Sequence, residues 1–162
     1  MIVVWFTGLP SSGKTTLARA VQSRLRERGR PCLLLDSDEV RAALVPSPGY
    51  DDAARDAFYH TLANLAALCA RQGTPVLVAA TAHLRRFRER ARAVAPELVE
   101  VHVATPIDEC RRRDPKGLWA ARLPGFPGPE IYEPPADPAV TASGGRDPAA
   151  RDRIVDRIVR LS

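Results

Sequence analysis

The sequence predicts an α/β fold: a doubly wound parallel sheet of about five strands with helices on both faces and a lid loop. Two observations predict it. Short β-branched or leucine-rich runs alternate with longer segments of helical period along the chain, the pattern of strands buried between two helical layers. The stretch GLPSSGKTT, residues 8–16, stands between the first such run and the first such segment. It fits G-x-x-x-x-G-K-[ST], in which glycines and the following helix cradle phosphates. With 162 residues, 45% of them hydrophobic, the chain is long enough for a real core, and we expect one domain over 1–162.

The elements follow in order. Residues 2–6 form an apolar run that reads as strand one and not as a signal peptide, having no basic leader. Residues 15–28 read as a helix with Leu17, Val21 and Leu25 on one face, and 32–35 as strand two. A helix over 53–71 carries Leu62, Leu65, Ala66 and Cys69 on its apolar side, and Gly73 stops it before strand three at 75–80. Residues 84–95 form a basic helix, 99–103 strand four, and 107–113 a short helix. Proline then becomes dense between Asp114 and Pro138 and no period survives, until a tail strand near Val140 and a last helix over 148–161. A segment of this length without periodicity inside a compact domain is uncommon unless it works, so residues 113–135 are expected to form a lid. Gly125, Gly128 and the five prolines from Pro124 to Pro135 predict a hinged, hydrogen-bond-poor segment.

Composition narrows the function. The formal net charge is +5. Stretches such as RLRERGR (24–30) and LRRFRER (84–90) interleave arginine with glutamate as solvated helix faces do. No aromatic-studded basic stretch suggests base stacking, so a cleft for phosphorylated small molecules is expected rather than nucleic acid. No apolar run is long enough to span a membrane. Cys32, Cys69 and Cys110 have no CxxC spacing, which predicts reduced, buried thiols and a cytoplasmic location, without a structural zinc site.

In GLPSSGKTT, Gly8 and Gly13 let the backbone turn and point its N–H groups inward. Lys14 reaches the β- and γ-phosphates of ATP, and the Thr15 hydroxyl ligates Mg²⁺; Ser11, Ser12 and Thr16 complete the nucleotide cradle. This is a P-loop NTPase-type pattern. In LLLDSDEVR (33–41), Asp36 falls at the carboxyl end of strand two, where open α/β sheets bind ligands, and Asp38 follows two residues on. One carboxylate can serve Mg²⁺ through water while the other takes an acceptor proton. Either can instead cap a helix beginning at Glu39, a role that suits Asp38 better. A guanine-reading NKxD is absent, the one asparagine being Asn64 in mid-helix. A kinase and a nucleotide-binding protein without transfer both stay open at this point.

Taken together, GLPSSGKTTLA, LLLDSDEVR, PGYDDAAR, VEVHVATPIDECRRRDPKGLW and IYEPP resemble the adenylylsulfate kinase family over nearly the whole chain. RDPKGL is the most specific of these motifs. The resemblance implies a P-loop kinase moving the γ-phosphate of MgATP to the 3′-hydroxyl of adenylylsulfate, with Lys14, Asp36 and Asp38 as catalytic residues and Thr15 and Asp36 at the metal. It implies that Arg113 lies over the adenine and that Lys116 orders the lid near the phosphates. Those would be the chain's only two lysines, Lys14 and Lys116, both serving ATP. Asp38, Arg41, Arg55, Phe58, Arg85 and Phe126 fall at acceptor positions, and a homodimer is allowed for. The chain also departs from the family pattern. Phe58 and His60 stand where asparagine and arginine are expected, Ala82 stands in place of a serine in TAH, and the lid is several residues shorter. Donor chemistry reads as intact and acceptor recognition as altered, so a related kinase for another hydroxylated acceptor is the alternative.

Overall fold

The computed structural model describes residues 1–161. Its elements are β1 (Val3–Thr7), α1 (Lys14–Glu27), β2 (Leu33–Asp36), α2 (Ser37–Ala43), α3 (Asp52–Arg71), β3 (Val76–Ala79), α4 (Arg85–Val94), β4 (Leu98–Val103), α5 (Ile107–Arg113), α6 (Leu118–Ala121), β5 (Val140–Ala142) and α7 (Pro148–Leu161). The five strands are all parallel in the order β2-β3-β1-β4-β5. The sheet is the expected one, with strand ends displaced by a residue or two.

The two-residue period of β1 explains the two cores. Val4 and Phe6 point to one face, where Leu17, Val21 and Leu25 of α1 and Ile154 and Ile158 of α7 cover them. Val3 and Trp5 point to the other, under Phe58 and Leu62 of α3 and Phe87 of α4. Burying both faces of each strand requires the near-continuous apolar runs seen in the sequence. The α1 stripe is as expected. The α3 stripe is rotated: Ala63, Ala67 and Ala70 are buried with Leu62 and Ala66, while Leu65 and Cys69 sit half-buried at its edge. The small alanines let α3 approach both the sheet and α4. Cys110 is buried, and Cys32 and Cys69 are half-buried free thiols.

Two helices differ from expectation. α2 begins at Ser37, not Glu39, because Asp36 and not Asp38 is its cap: the Asp36 carboxylate accepts from the Asp38 N–H at 2.9 Å and the Glu39 N–H at 3.4 Å. α6 lies inside the proline-dense segment, its first turn capped by the Asp114 carboxylate, which accepts from the Trp119 N–H at 3.1 Å. The lid segment is therefore not hydrogen-bond-poor. Its exit is docked as well, with the Glu133 N–H donating to the His83 carbonyl at 2.8 Å and the Tyr132 hydroxyl 3.1 Å from Thr7 Oγ1. Among the described residues no helix is long and apolar enough to cross a membrane.

One buried charge holds this frame together. Alternation along β4 puts Glu100 on the α3/α4 face, where it is 8% exposed. Arg88 of α4 answers it: Nε donates to Glu100 at 2.6 Å, Nη1 to the Ala82 carbonyl at 2.6 Å and Nη2 to the Glu133 carbonyl at 2.6 Å. Arg92 reaches the second Glu100 oxygen at 3.0 Å. Arg88 thus ties β4 to the β3–α4 loop and to the end of the lid. Arg88→Met should destabilise the fold by about 3–5 kcal/mol, because it strands a buried carboxylate and two carbonyls. In a domain of this size that lowers Tm by about 6–20 °C in thermal denaturation. A change within about 0.5 kcal/mol would mean that Arg92 alone satisfies Glu100.

Candidate active site

β1 is flanked by β3 on one side and β4 on the other, so the chain reverses its winding direction there. The carboxyl ends of the strands open a crevice at such a switch point, and the P-loop leaves β1 into it. Close approach explains the glycines. A Cβ on Gly8 would stand 2.6 Å from the Val103 carbonyl oxygen. Gly13 has φ +94° and its Cβ would meet Gly145 at 2.7 Å, so any side chain there would push the β5–α7 loop away. The first hydrogen bond of α1 runs from the Leu17 N–H to the Gly13 carbonyl at 3.0 Å. The N–H groups of Gly13, Lys14, Thr15 and Thr16 have no helical acceptor, which leaves them for an anion.

The loop's carbonyls are tied back. Lys14 Nζ donates to Gly8 O at 3.0 Å and Leu9 O at 2.9 Å. Thr105 Oγ1 donates to Ser12 O at 2.6 Å, and Trp119 Nε1 to Pro10 O at 3.1 Å. Ser11 takes φ +64°, and the Ser12 hydroxyl is buried without a partner. Burial lowers the Lys14 pKa to about 8, against the opposing pull of Cys110, Asp38 and Asp36. The folded chain therefore releases a proton that the unfolded chain keeps, and stability rises as pH climbs from about 8 toward 10.5. Bound polyphosphate favours the charged form. One pH unit above that value, nucleotide binding should take up close to one proton, and affinity should fall about tenfold per further unit. Calorimetry of a non-hydrolysable ATP analogue in buffers of different ionisation enthalpy measures the uptake. Zero uptake would mean that Lys14 stays charged in the free protein.

Thr15 Oγ1 donates to Asp36 Oδ2 at 2.5 Å, so one Asp36 oxygen serves Thr15 while the other caps α2. Lys116 forms an ion pair with Asp38 across the cleft. Its pKa is raised: burial alone would lower it, but the hydrogen bond and charge of Asp38 outweigh that. Arg113 pairs with Glu109, and its Nη1 lies 3.8 Å from where a Gly13 Cβ would stand, at the mouth of the cradle.

Arg41 and Arg55 are both buried, at 7% and 8% exposure. Arg41 Nη1 donates to Pro48 O at 3.2 Å and Gly49 O at 2.8 Å. Arg55 Nη1 donates to the lid carbonyl of Gly125. Neither has a carboxylate partner among the described residues. The charges of both act on the Tyr59 hydroxyl, as does that of Asp38. Burial raises the Tyr59 pKa, and the two arginines counter that. The Tyr59 hydroxyl accepts from the Ala82 N–H at 3.1 Å, fixing a residue with φ +41°. His83 beside it is buried, and burial first, then Arg55, lowers its pKa to about 4, so it stays neutral. Phe126 of the lid packs edge-on to Trp119 at 5.0 Å.

Arg85 is exposed and lines a cavity of about 360 Å³ with Arg88, Glu89, Arg92 and Pro135. His60 is exposed on α3. Phe58 is buried with its ring under the Arg41 guanidinium. The sequence reading missed Tyr59, Arg88, Thr105 and Trp119. Arg88 carried a signal: it falls between Phe87 and Ala91 on the apolar side of α4, opposite a lone glutamate in the strand VEVHV.

An α/β fold with a P-loop at its switch point, a threonine–aspartate pair beside it and a proline-dense segment docked on the loop through Trp119 is that of a P-loop phosphotransferase. The adenylylsulphate kinase family model matches residues 1–143, and the chain belongs to that family. It is 43% identical to the adenylyl-sulfate kinase of Chloroflexus aurantiacus over 144 residues, 86% of this chain and 77% of that one. It is 40% identical to the bifunctional enzyme NodQ of Azospirillum brasilense over 166 residues, 98% of this chain but 26% of that one, so it spans about a quarter of NodQ. The structure of the Mycobacterium tuberculosis APS kinase CysC in complex with AMPPNP and APS superposes with a TM-score of 0.82 at 33% identity, covering 98% of this chain and 95% of that one.

Proposed function

We propose that this chain transfers the γ-phosphate of ATP to the 3′-hydroxyl of adenylylsulfate, and that it does so in the cytoplasm, possession of three free thiols fitting that compartment. One observation carries the acceptor class: Arg41 and Arg55 are buried, both lack carboxylate partners among the described residues, and Arg55 is held only by a carbonyl of the 113–135 segment. Buried unpaired cations are costly unless an anion completes them, and adenylylsulfate brings a phosphate and a sulfate. Assembly as a homodimer remains part of the proposal.

Thr15 Oγ1 and Asp36 Oδ2 fit Mg²⁺. They are hard oxygen donors, they already converge, and Mg²⁺ typically takes one or two protein oxygens plus phosphates. That agrees with the lack, among the described residues, of a cluster of three or more His, Cys, Asp or Glu side chains able to hold a metal. When bound, the ion neutralises charge on the phosphates. The free N–H groups of α1 hold the β- and γ-phosphates, and Lys14 leaves the Gly8 and Leu9 carbonyls to join them. Lys116 moves from Asp38 to the transferring phosphate, and Asp38, released, accepts the proton of the attacking hydroxyl. Arg41 and Arg55 hold the acceptor's anionic end, Gly125 giving up Arg55 as the acceptor enters. Phe126 and Trp119 close the lid and exclude water, with Arg113 over the adenine.

ADP release measured against a panel of hydroxylated acceptors tests this. Release should depend on adenylylsulfate. A preference for another acceptor would overturn the substrate assignment, and a steady ATPase indifferent to every acceptor would overturn transfer itself.

A further inference from the structure

Phe58 and Tyr50 do for Arg41 what neither hydrogen bonding nor ion pairing does. The Arg41 guanidinium carbon lies 3.9 Å from the centroid of the Phe58 ring and 4.5 Å from that of Tyr50. Phe58 comes from α3 and is 2% exposed, whereas Tyr50, in the α2–α3 loop, is 61% exposed. Nη1 is occupied by the Pro48 and Gly49 carbonyls, 3.2 and 2.8 Å away. Nε and Nη2 have no protein acceptor among the described residues, yet they are not among the buried atoms without a partner, so solvent still reaches that edge.

A planar guanidinium stacked on aromatic rings keeps its charge and can present one edge. The side chain is otherwise long and rotamer-rich, and an arginine that must be frozen when ligand binds loses affinity to that ordering. We propose that Phe58 and Tyr50 are positioning residues that pre-set Arg41, with its Nε/Nη2 edge aimed at the anionic group of the acceptor. This rests on the reading of adenylylsulfate as acceptor. It reverses the expectation drawn from Phe58 in the sequence: the ring removes a hydrogen bond to the ligand but orders a cation that makes a stronger one.

The test combines kinetics with a spectroscopic signature. Tyr50 is exposed, so Tyr50→Ala should fold normally. It should raise KM for adenylylsulfate about 3- to 30-fold, as loss of a cation–π contact would, with KM for ATP and kcat at saturating acceptor unchanged. Tyr50→Phe should restore wild-type KM. Independently of turnover, the Arg41 Nε–H proton is shielded by two rings and should move downfield by NMR in Tyr50→Ala and in Phe58→Leu. An unchanged KM in Tyr50→Ala, or an Arg41 resonance unmoved in both variants, overturns the clamp. Wild-type protein that turns over no adenylylsulfate overturns the acceptor reading, and this role with it, and that failure shows in the wild type before any variant is made.

Discussion

Lys14→Ala lowers turnover by about 10²–10³, the usual effect of deleting one preorganised charge donor from a reacting centre. The fold should survive. Among the described residues the Lys14 ammonium hydrogen-bonds only the Gly8 and Leu9 carbonyls, and it is disfavoured where it sits, as its lowered pKa shows. Removing a desolvated charge from a half-buried site relieves a cost rather than creating a cavity. Thermal denaturation should therefore give a Tm equal to or above wild type while steady-state turnover collapses. Near wild-type turnover would take Lys14 out of the chemistry, and a collapsed Tm would make it a structural residue of the loop.

Asp36→Asn should lower transfer by about 10³ and leave nucleotide affinity within about tenfold. Asparagine caps helices as well as aspartate does. Its Oδ1 can keep the Asp38 and Glu39 N–H groups while its amide faces Thr15 Oγ1, so α2 stays in place and only the charge is lost. Because one carboxylate caps a helix and meets Thr15 at once, alanine would confound the two roles and asparagine separates them. Affinity and turnover measured side by side decide the matter. Unchanged turnover would move the metal role away from Asp36.

What could be read in the sequence divides along physical lines. The sheet and the faces of α1 were legible because β1 must be apolar on both sides and α1 on one, and Val3–Thr7 and Leu17, Val21, Leu25 carry those periods undisturbed. The P-loop was legible because few residue types fit Gly8 and Gly13. α2 was misplaced because a seven-residue helix has too few turns to show a period, and its start depends on which of two aspartates turns back on the backbone. α6 was hidden among prolines because it is held by a contact distant in sequence, Trp119 to Pro10. Where the Arg85 side chain points as it leaves the start of α4 is set by tertiary packing, which a position in the sequence does not give. Phe58 was read as a lost donor because a gain through Arg41 needs two elements, α2 and α3, brought together.

The most direct test of the central claim is to incubate the protein with MgATP and adenylylsulfate and follow both products by mass spectrometry. The account predicts one ADP for each molecule of singly phosphorylated adenylylsulfate, and almost no ADP when the acceptor is omitted. ADP formed at the same rate with and without adenylylsulfate, and no phosphorylated adenylylsulfate, would contradict it.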